Sequence, residues 1–135
     1  MSPSEYNQKI IDEFRANGGE VTGRGKSLLL LHTVGAKSQK EHINPVAHTR
    51  DGDRYVIIAS KGGAPKHPDW YFNIVANPVV TVEVGTETFQ VQATIAKEPE
   101  RTRLYDQMSA VMPGFAEYQK KTERIIPVVV LSRME

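Results

Sequence analysis

The chain is 135 residues long, enough for one domain with a packed core and too short for two. It has no cysteine, which excludes disulfides, thiolate nucleophiles and cysteine-based metal sites, and a reducing cytoplasm is the expected home. Net charge is only +1. The charge is uneven, however. Between residues 24 and 67 stand eight Lys/Arg against three acids, together with all four histidines. That asymmetry favours an anionic partner for the central segment, although charges alternating along exposed strand faces would give the same count.

Residues 2–17 read as a helix. Ser2 and Glu5 have capping-box spacing, Pro3 suits the first turn, and Met1 is placed to staple onto Tyr6. Tyr6, Ile10, Ile11 and Phe14 fall on one face, and Gly18-Gly19 ends the segment. The polar face is mixed rather than basic, so the helix is expected to pack on the domain; peripheral membrane attachment is the alternative. No window approaches the roughly 18 consecutive apolar residues of a membrane span, and no secretory signal precedes the helix.

Strands follow. Residues 27–34 contain Leu28, Leu29, Leu30 and Leu31 in a run, the pattern of a strand buried on both faces. Residues 35–40 read as a turn. Residues 43–50 form a second strand, whose Pro45 demands an edge or a bulge. Asp51-Gly52 signals a hairpin into a third strand over 54–60. A helix is expected over 68–76, paired strands over 79–84 and 88–96, helices over 99–112 and 115–122, and a last buried strand over 127–132. Hairpin-length links imply antiparallel pairing and exclude a doubly wound sheet. The expected fold is mainly β with helices: a small closed or split β-barrel whose helices cover its openings, in one domain over residues 1–135.

Three constellations bear on chemistry. The run Ser60-Lys61-Gly62-Gly63 leaves a strand and leads, through Lys66 and His67, to a helix at Pro68. Two glycines allow backbone N–H groups to converge on an anion, and a helix N-terminus adds partial positive charge. A surface loop needing glycine for its backbone angles would look the same. It is neither a Walker loop nor a dinucleotide fingerprint. The second cluster, Lys37, Ser38, Gln39, Lys40 and His42, offers donors beside a strand, and it shares a groove with the first if the barrel brings the two turns together. Third, Phe115 and Tyr118 are spaced to share a helix face, either as core or as a wall over a flat ring; Tyr118 adds a hydroxyl able to donate a proton. No Ser-His-Asp order, H-E-x-x-H, metal-ligand spacing or carboxylate pair is evident, so an enzyme of this sequence needs an organic cofactor. The basic segment lacks the spread expected of a nucleic-acid track.

The strings 29–38 (LLLHTVGAKS), Asn44-Pro45, Arg50-Asp51-Gly52, 59–63 (ASKGG), 70–78 (WYFNIVANP), Glu117-Tyr118 and 124–129 (RIIPVV) closely resemble the deazaflavin-dependent nitroreductase family of actinobacteria. The likeness runs from about residue 28 to the C-terminus. It implies a split β-barrel that binds coenzyme F420, a 5-deazaflavin with a phosphate and a γ-glutamyl tail. By position, the resemblance puts cofactor contacts on Ala36, Lys37, Ser38, Gln39, His42, Ile43, Asn44, Pro45, Val46, Ala47, Ile58, Ala59, Ser60, Lys61, Asp69, Trp70, Tyr71 and Asn73. It puts the substrate pocket on Ala47, Met112, Phe115 and Tyr118, and the groups beside the reacting carbon on Tyr118 and Ser60. The implied activity is hydride transfer from reduced F420 to a quinone, enone, activated lactone or nitroaromatic, with a separate F420-reducing dehydrogenase as electron source; a monomer without a metal is expected. An FMN-binding enzyme of the same barrel, or a non-catalytic F420 carrier, are the alternatives. Ala36, Gln39 and His42 depart from the family's arginine, glycine and arginine, which implies looser, more pH-dependent tail binding.

Overall fold

The computed structural model describes residues 3–134. The element order is α1 (Pro3–Ala16), β1 (Leu28–Val34), β2 (Glu41–Asp51), β3 (Arg54–Ile58), a single 3-10 turn at Lys61–Gly63, α2 (Asp69–Ala76), β4 (Val79–Val84), β5 (Glu87–Ile95), α3 (Glu100–Val111), α4 (Gly114–Lys120) and β6 (Val128–Arg133). The six strands close into an antiparallel barrel in the order β1-β2-β3-β6-β5-β4. The Ser2–Glu5 capping box and the Met1–Tyr6 staple involve Met1 and Ser2, which lie outside the described residues.

Strand periodicity sorts the side chains. Leu29 and Leu31 point into the barrel with Ile57, Val82, Val91, Val129 and Leu131. Their neighbours Leu28 and Leu30 point outward, where Ile11 and Phe14 of α1 cover them together with Val21. The four-leucine run is thus buried on both faces, as its unbroken hydrophobicity demands. The expected helical stripe is shorter than its sequence pattern: Ile11 and Phe14 are buried, whereas Tyr6 is half exposed. On the other flank, Val56, Ile58, Val128 and Val130 pack beneath Leu104, Tyr105 and Met108 of α3. Trp70 and Ile74 of α2 join the interior cluster and plug one end of the barrel.

That end is where the barrel splits. β2 pairs with β1 along its first half, from Val34↔Glu41 to Leu28↔Ala47. It pairs with β3 only from His48↔Ile57 to Asp51↔Arg54. Pro45 sits in the half that has no second strand partner among the described residues, where its missing N–H costs nothing on the open side.

Candidate functional site

The open edge of β2 forms one wall of a cleft of about 1210 Å³. The β1–β2 turn, the end of β3 with its 3-10 corner, α2 and α4 supply the others. The two clusters flagged in the sequence therefore do meet: Lys37, Ser38 and His42 face the same space as Ser60 and Lys61.

Local geometry explains both. In the β1–β2 turn, the Gly35 N–H donates to the Lys40 carbonyl at 2.8 Å and the Ser38 hydroxyl accepts from the Lys40 N–H at 3.2 Å. A Cβ on Gly35 would stand 2.3 Å from that hydroxyl oxygen, so a side chain there would force Ser38 to swing away from the Lys40 N–H. Asn73 fixes the turn from α2. Its Oδ1 accepts from the Ala36 N–H and its Nδ2 donates to the buried Thr33 hydroxyl, both at 3.0 Å. The corner after β3 runs through three left-handed residues, Lys61 (φ 48°), Gly62 (φ 64°) and Gly63 (φ 82°). Lysine in that region is uncommon, and its side chain owes its aim to what holds the corner.

The two glycines of the corner differ in role from the expected paired cradle. Gly62 borders the cleft. Gly63 is buried, and its N–H is spent on the Ser60 carbonyl at 3.0 Å. Charge also sorts differently in space than along the chain. Of the eight basic residues in the central segment, only Lys37 and Lys61 border the cleft. Arg50 lies over the Tyr55 ring, and Arg54 pairs with Asp51 and Glu100, at the barrel's far end. His32 belongs to a third place, bonded through Nε2 to Glu83 at 2.6 Å beside Arg15. The cleft is nonetheless positive, since Asp69 is the one acid among its described lining residues.

Most of the residues singled out from sequence border this space: Ala36, Lys37, Ser38, His42, Asn44, Pro45, Val46, Ala47, Ile58, Ser60, Lys61, Asp69, Trp70, Asn73, Phe115 and Tyr118. Gln39, Ile43, Ala59, Tyr71 and Met112 stand back from it. Gln39 (φ 60°) turns toward the Ala36 carbonyl, and Ile43 packs into the cluster under α1. Ala59 is fully buried in the barrel, Tyr71 packs on the His67 ring at 4.7 Å, and Met112 joins the cluster under α3. Phe115 and Tyr118 meet edge to face at 5.2 Å, forming the aromatic wall. The Tyr105 hydroxyl donates to the Phe115 carbonyl and so pins the start of α4. Asn7 of α1 and Phe72 of α2 complete the rim. Neither was singled out from the sequence: Asn7 lies on the polar side of an amphipathic helix, and Phe72 entered only as part of the 70–78 string. Among the described residues there is no cluster of metal-ligating side chains, and no helix is long and apolar enough to cross a membrane.

A split barrel with an open strand edge, two lysines and an aromatic wall around one cleft suits a protein that binds a flat, anionic organic ligand. Over residues 7–133 the chain matches the F420H(2)-dependent quinone reductase family, and it belongs to that family. It is 42% identical over 119 residues to an F420H(2)-dependent quinone reductase of Mycobacterium tuberculosis strain H37Rv, covering 86% of this chain and 79% of that one. Among solved structures it resembles an F420-H2 dependent reductase, FDR-A, with 39% identity and a TM-score of 0.73 over 79% of this chain and 95% of that one. It also resembles a domain-swapped dimer, with 34% identity and a TM-score of 0.75 over 97% of this chain and all of the other. The protein is therefore an F420H2-dependent oxidoreductase with a split-barrel fold, and its cofactor is coenzyme F420. The FMN alternative gains no support from these relatives.

Proposed function

We propose that this enzyme reduces quinones by two electrons, binding F420H2 along the open edge of β2 and the quinone under α4. The observation that carries this reading is the cleft itself. It unites two lysines, an unpaired strand edge and an aromatic wall in one space. Its volume exceeds the range of roughly 300–1,000 Å³ usual for a single small ligand, which suits a cofactor and a substrate together.

In this reading Lys37, Lys61 and the turn donors around Ser38 hold the anionic tail by charge-assisted bonds. Val46, Ala47, Ile58 and Trp70 flank the ring, and the exposed backbone of β2 offers donors and acceptors along its edge. When bound, reduced F420 supplies a hydride from ring carbon 5. The chain would orient the two rings and exclude water between the walls of the cleft to which Trp70 and Phe115 belong. Reduction of a quinone to the hydroquinone consumes the hydride and one proton, and the donor gives up one proton as it is oxidised, so the protons balance overall. Tyr118, or Ser60 with solvent, delivers the proton to the quinone oxygen. The absence of any other aromatic hydroxyl among the described lining residues supports Tyr118. Enones, activated lactones and nitroaromatics need the same hydride and proton and are secondary candidates. The protein is read as one domain that depends on a separate dehydrogenase to regenerate F420H2. The domain-swapped relative makes a dimer a second candidate beside the monomer.

The test is anaerobic mixing with F420H2 and a panel of quinones, enones, lactones and nitroaromatics, following recovery of the oxidised cofactor's absorbance. Quinones should turn over fastest. Tyr118→Phe should slow turnover by roughly 10²–10⁴-fold without weakening cofactor binding. Cofactor binding without oxidation by any acceptor would favour a carrier instead.

A further inference from the structure

Arg124 borders no part of the cleft, yet its bonds reach both walls. It lies in the segment between α4 and β6, partly buried. Its guanidinium donates through Nη2 to the Ser60 carbonyl at 2.7 Å, through Nε to the Ala64 carbonyl at 2.8 Å, and through Nη1 to the Ala59 carbonyl at 3.2 Å. Nη1 also lies 2.9 Å from His67 Nδ1. A guanidinium has donors only, so Nδ1 must be the acceptor. Between them these bonds span residues 59–67, a stretch that leaves the sheet at Ile58 and has only two local backbone bonds across its corner.

The main chain of the same residue faces the other way. The Arg124 carbonyl accepts from Gln119 Nε2 at 2.8 Å. Gln119 Oε1 in turn accepts from the Ile126 N–H at 3.1 Å and from Arg101 at 2.5 Å. Gln119 belongs to α4, the helix that carries Phe115 and Tyr118. One residue thus ties the corner that presents Ser60 and Lys61 to the helix that forms the opposite wall.

We infer that Arg124 is a positioning residue that sets the spacing between the Ser60–Lys61 corner and the Phe115–Tyr118 wall, so that cofactor binding at the first and quinone binding at the second are coupled through it. This rests on the placement of cofactor and quinone proposed above. The physical case is the left-handed lysine. Lys61 at φ 48° is held in a costly backbone region. Local turn bonds alone do not select that conformation over an extended one, whereas three carbonyls converging on one planar fork do. Lysine cannot reproduce the fork, having a single point of charge.

Amide hydrogen exchange on the cofactor-free protein, F420 titration and steady-state kinetics with menadione test this together. In Arg124→Lys, exchange over residues 59–67 should rise at least tenfold with the six strands unchanged, and the F420 Kd should rise about tenfold or more. In Gln119→Ala, which leaves the corner bonds intact, the menadione KM should rise several-fold while the F420 Kd stays within twofold. In the wild type, F420 should slow exchange in both 59–67 and 114–120, and in Gln119→Ala only in 59–67. Unchanged exchange over 59–67 in Arg124→Lys, or a uniform loss across all strands, overturns the inference. So does cofactor protection that never reaches α4 in the wild type, a readout that survives even if the arginine variant does not fold. A wild-type protein that binds no F420 would instead strike the placement of the cofactor, while the cofactor-free exchange still judges the hold of Arg124 on residues 59–67.

Discussion

Gly63 lies directly against the backbone of Tyr118. A Cβ on Gly63 would stand 2.7 Å from the Tyr118 carbonyl oxygen and 2.9 Å from Lys121 Cβ. The Ser60–Lys61 corner and α4 are in backbone contact because this residue has no side chain. Gly63→Ala adds a methyl group where two segments touch, at φ 82°, a conformation that costs an L-residue about 1–2 kcal/mol before any clash. We expect a lowered melting temperature and an α4 displaced outward, read as a raised KM for quinone. Gly62→Ala should be milder, since nothing lies within 4 Å of its Cβ position, and it carries only the backbone cost. Equal effects of the two substitutions would contradict the contact.

Lys37 and Lys61 make a second prediction. A charge-assisted bond contributes about 1.5–3 kcal/mol, equal to roughly a ten- to hundredfold change in Kd. Lys37→Ala and Lys61→Ala should each weaken F420 binding within that span. Both losses should shrink as ionic strength rises, because the two side chains are exposed and screened. Turnover at saturating cofactor should change far less. Titration by fluorescence at two salt concentrations decides it, and unchanged affinity in both variants would remove them from the cofactor site.

The fold was largely legible in the chain because local signals carry it. The leucine run of β1, the Asp51-Gly52 hairpin and the alternation over 79–95 gave strands within a few residues of the observed ones. Pro45 marked the strand edge, and that edge proves to be the wall of the cleft. What could not be read was anything set by distant pairing. β3 joins β6 rather than β4, and this closure places Arg124 behind the corner. Arg124 bonds to carbonyls, and carbonyls belong to every residue, so no side-chain pattern announces the contact. The charge count misled for the related reason that neighbours in sequence point to opposite ends of the barrel: Lys37 and Lys61 face the cleft, Arg50 and Arg54 the far end. The paired glycines looked equivalent, and only the approach of α4 distinguishes Gly63 from Gly62.

His67 gives a dependence on pH. Burial, and then the Arg124 guanidinium, push its ring below the ordinary histidine value. Lys66 and Asp69 flank it in the chain, and the Tyr71 and Phe72 rings pack against it at 4.7 and 5.7 Å. A histidine whose folded value is lowered stabilises its surroundings above the unfolded value near 6.5, and that contribution is lost as pH falls through the lowered value. Protonation puts N–H opposite N–H between His67 and Arg124, so the 59–67 loop should loosen on acidification. F420 affinity is expected to fall below about pH 6.5 in the wild type. In His67→Gln, whose side-chain oxygen can still accept from Arg124, that part of the pH dependence should vanish. Identical pH profiles for the two proteins would show that His67 does not carry the effect.

Asp51 makes the opposite case at the other end of the barrel. Arg103 donates to its two oxygens at 3.2 and 3.1 Å, and Arg54 adds a further bond. Hydrogen bonds from Arg103, then from Arg54, hold the carboxyl down at about 2. A carboxylate with a depressed folded value stabilises the fold above its unfolded value near 4, and the contribution disappears as pH falls from there toward 2. Because Arg54 is on β3 and Arg103 on α3, the pairing ties the β2–β3 hairpin to the helix covering it. Thermal melts should therefore be flat above about pH 5 on this account and decline between pH 4 and 2. Asp51→Asn should lower the melting temperature at pH 7 and lessen the decline at acid pH, with F420 affinity unchanged because the cleft lies at the far end of the barrel. A variant that melts like the wild type at pH 7 would show the arginine pairs to be too well solvated to matter.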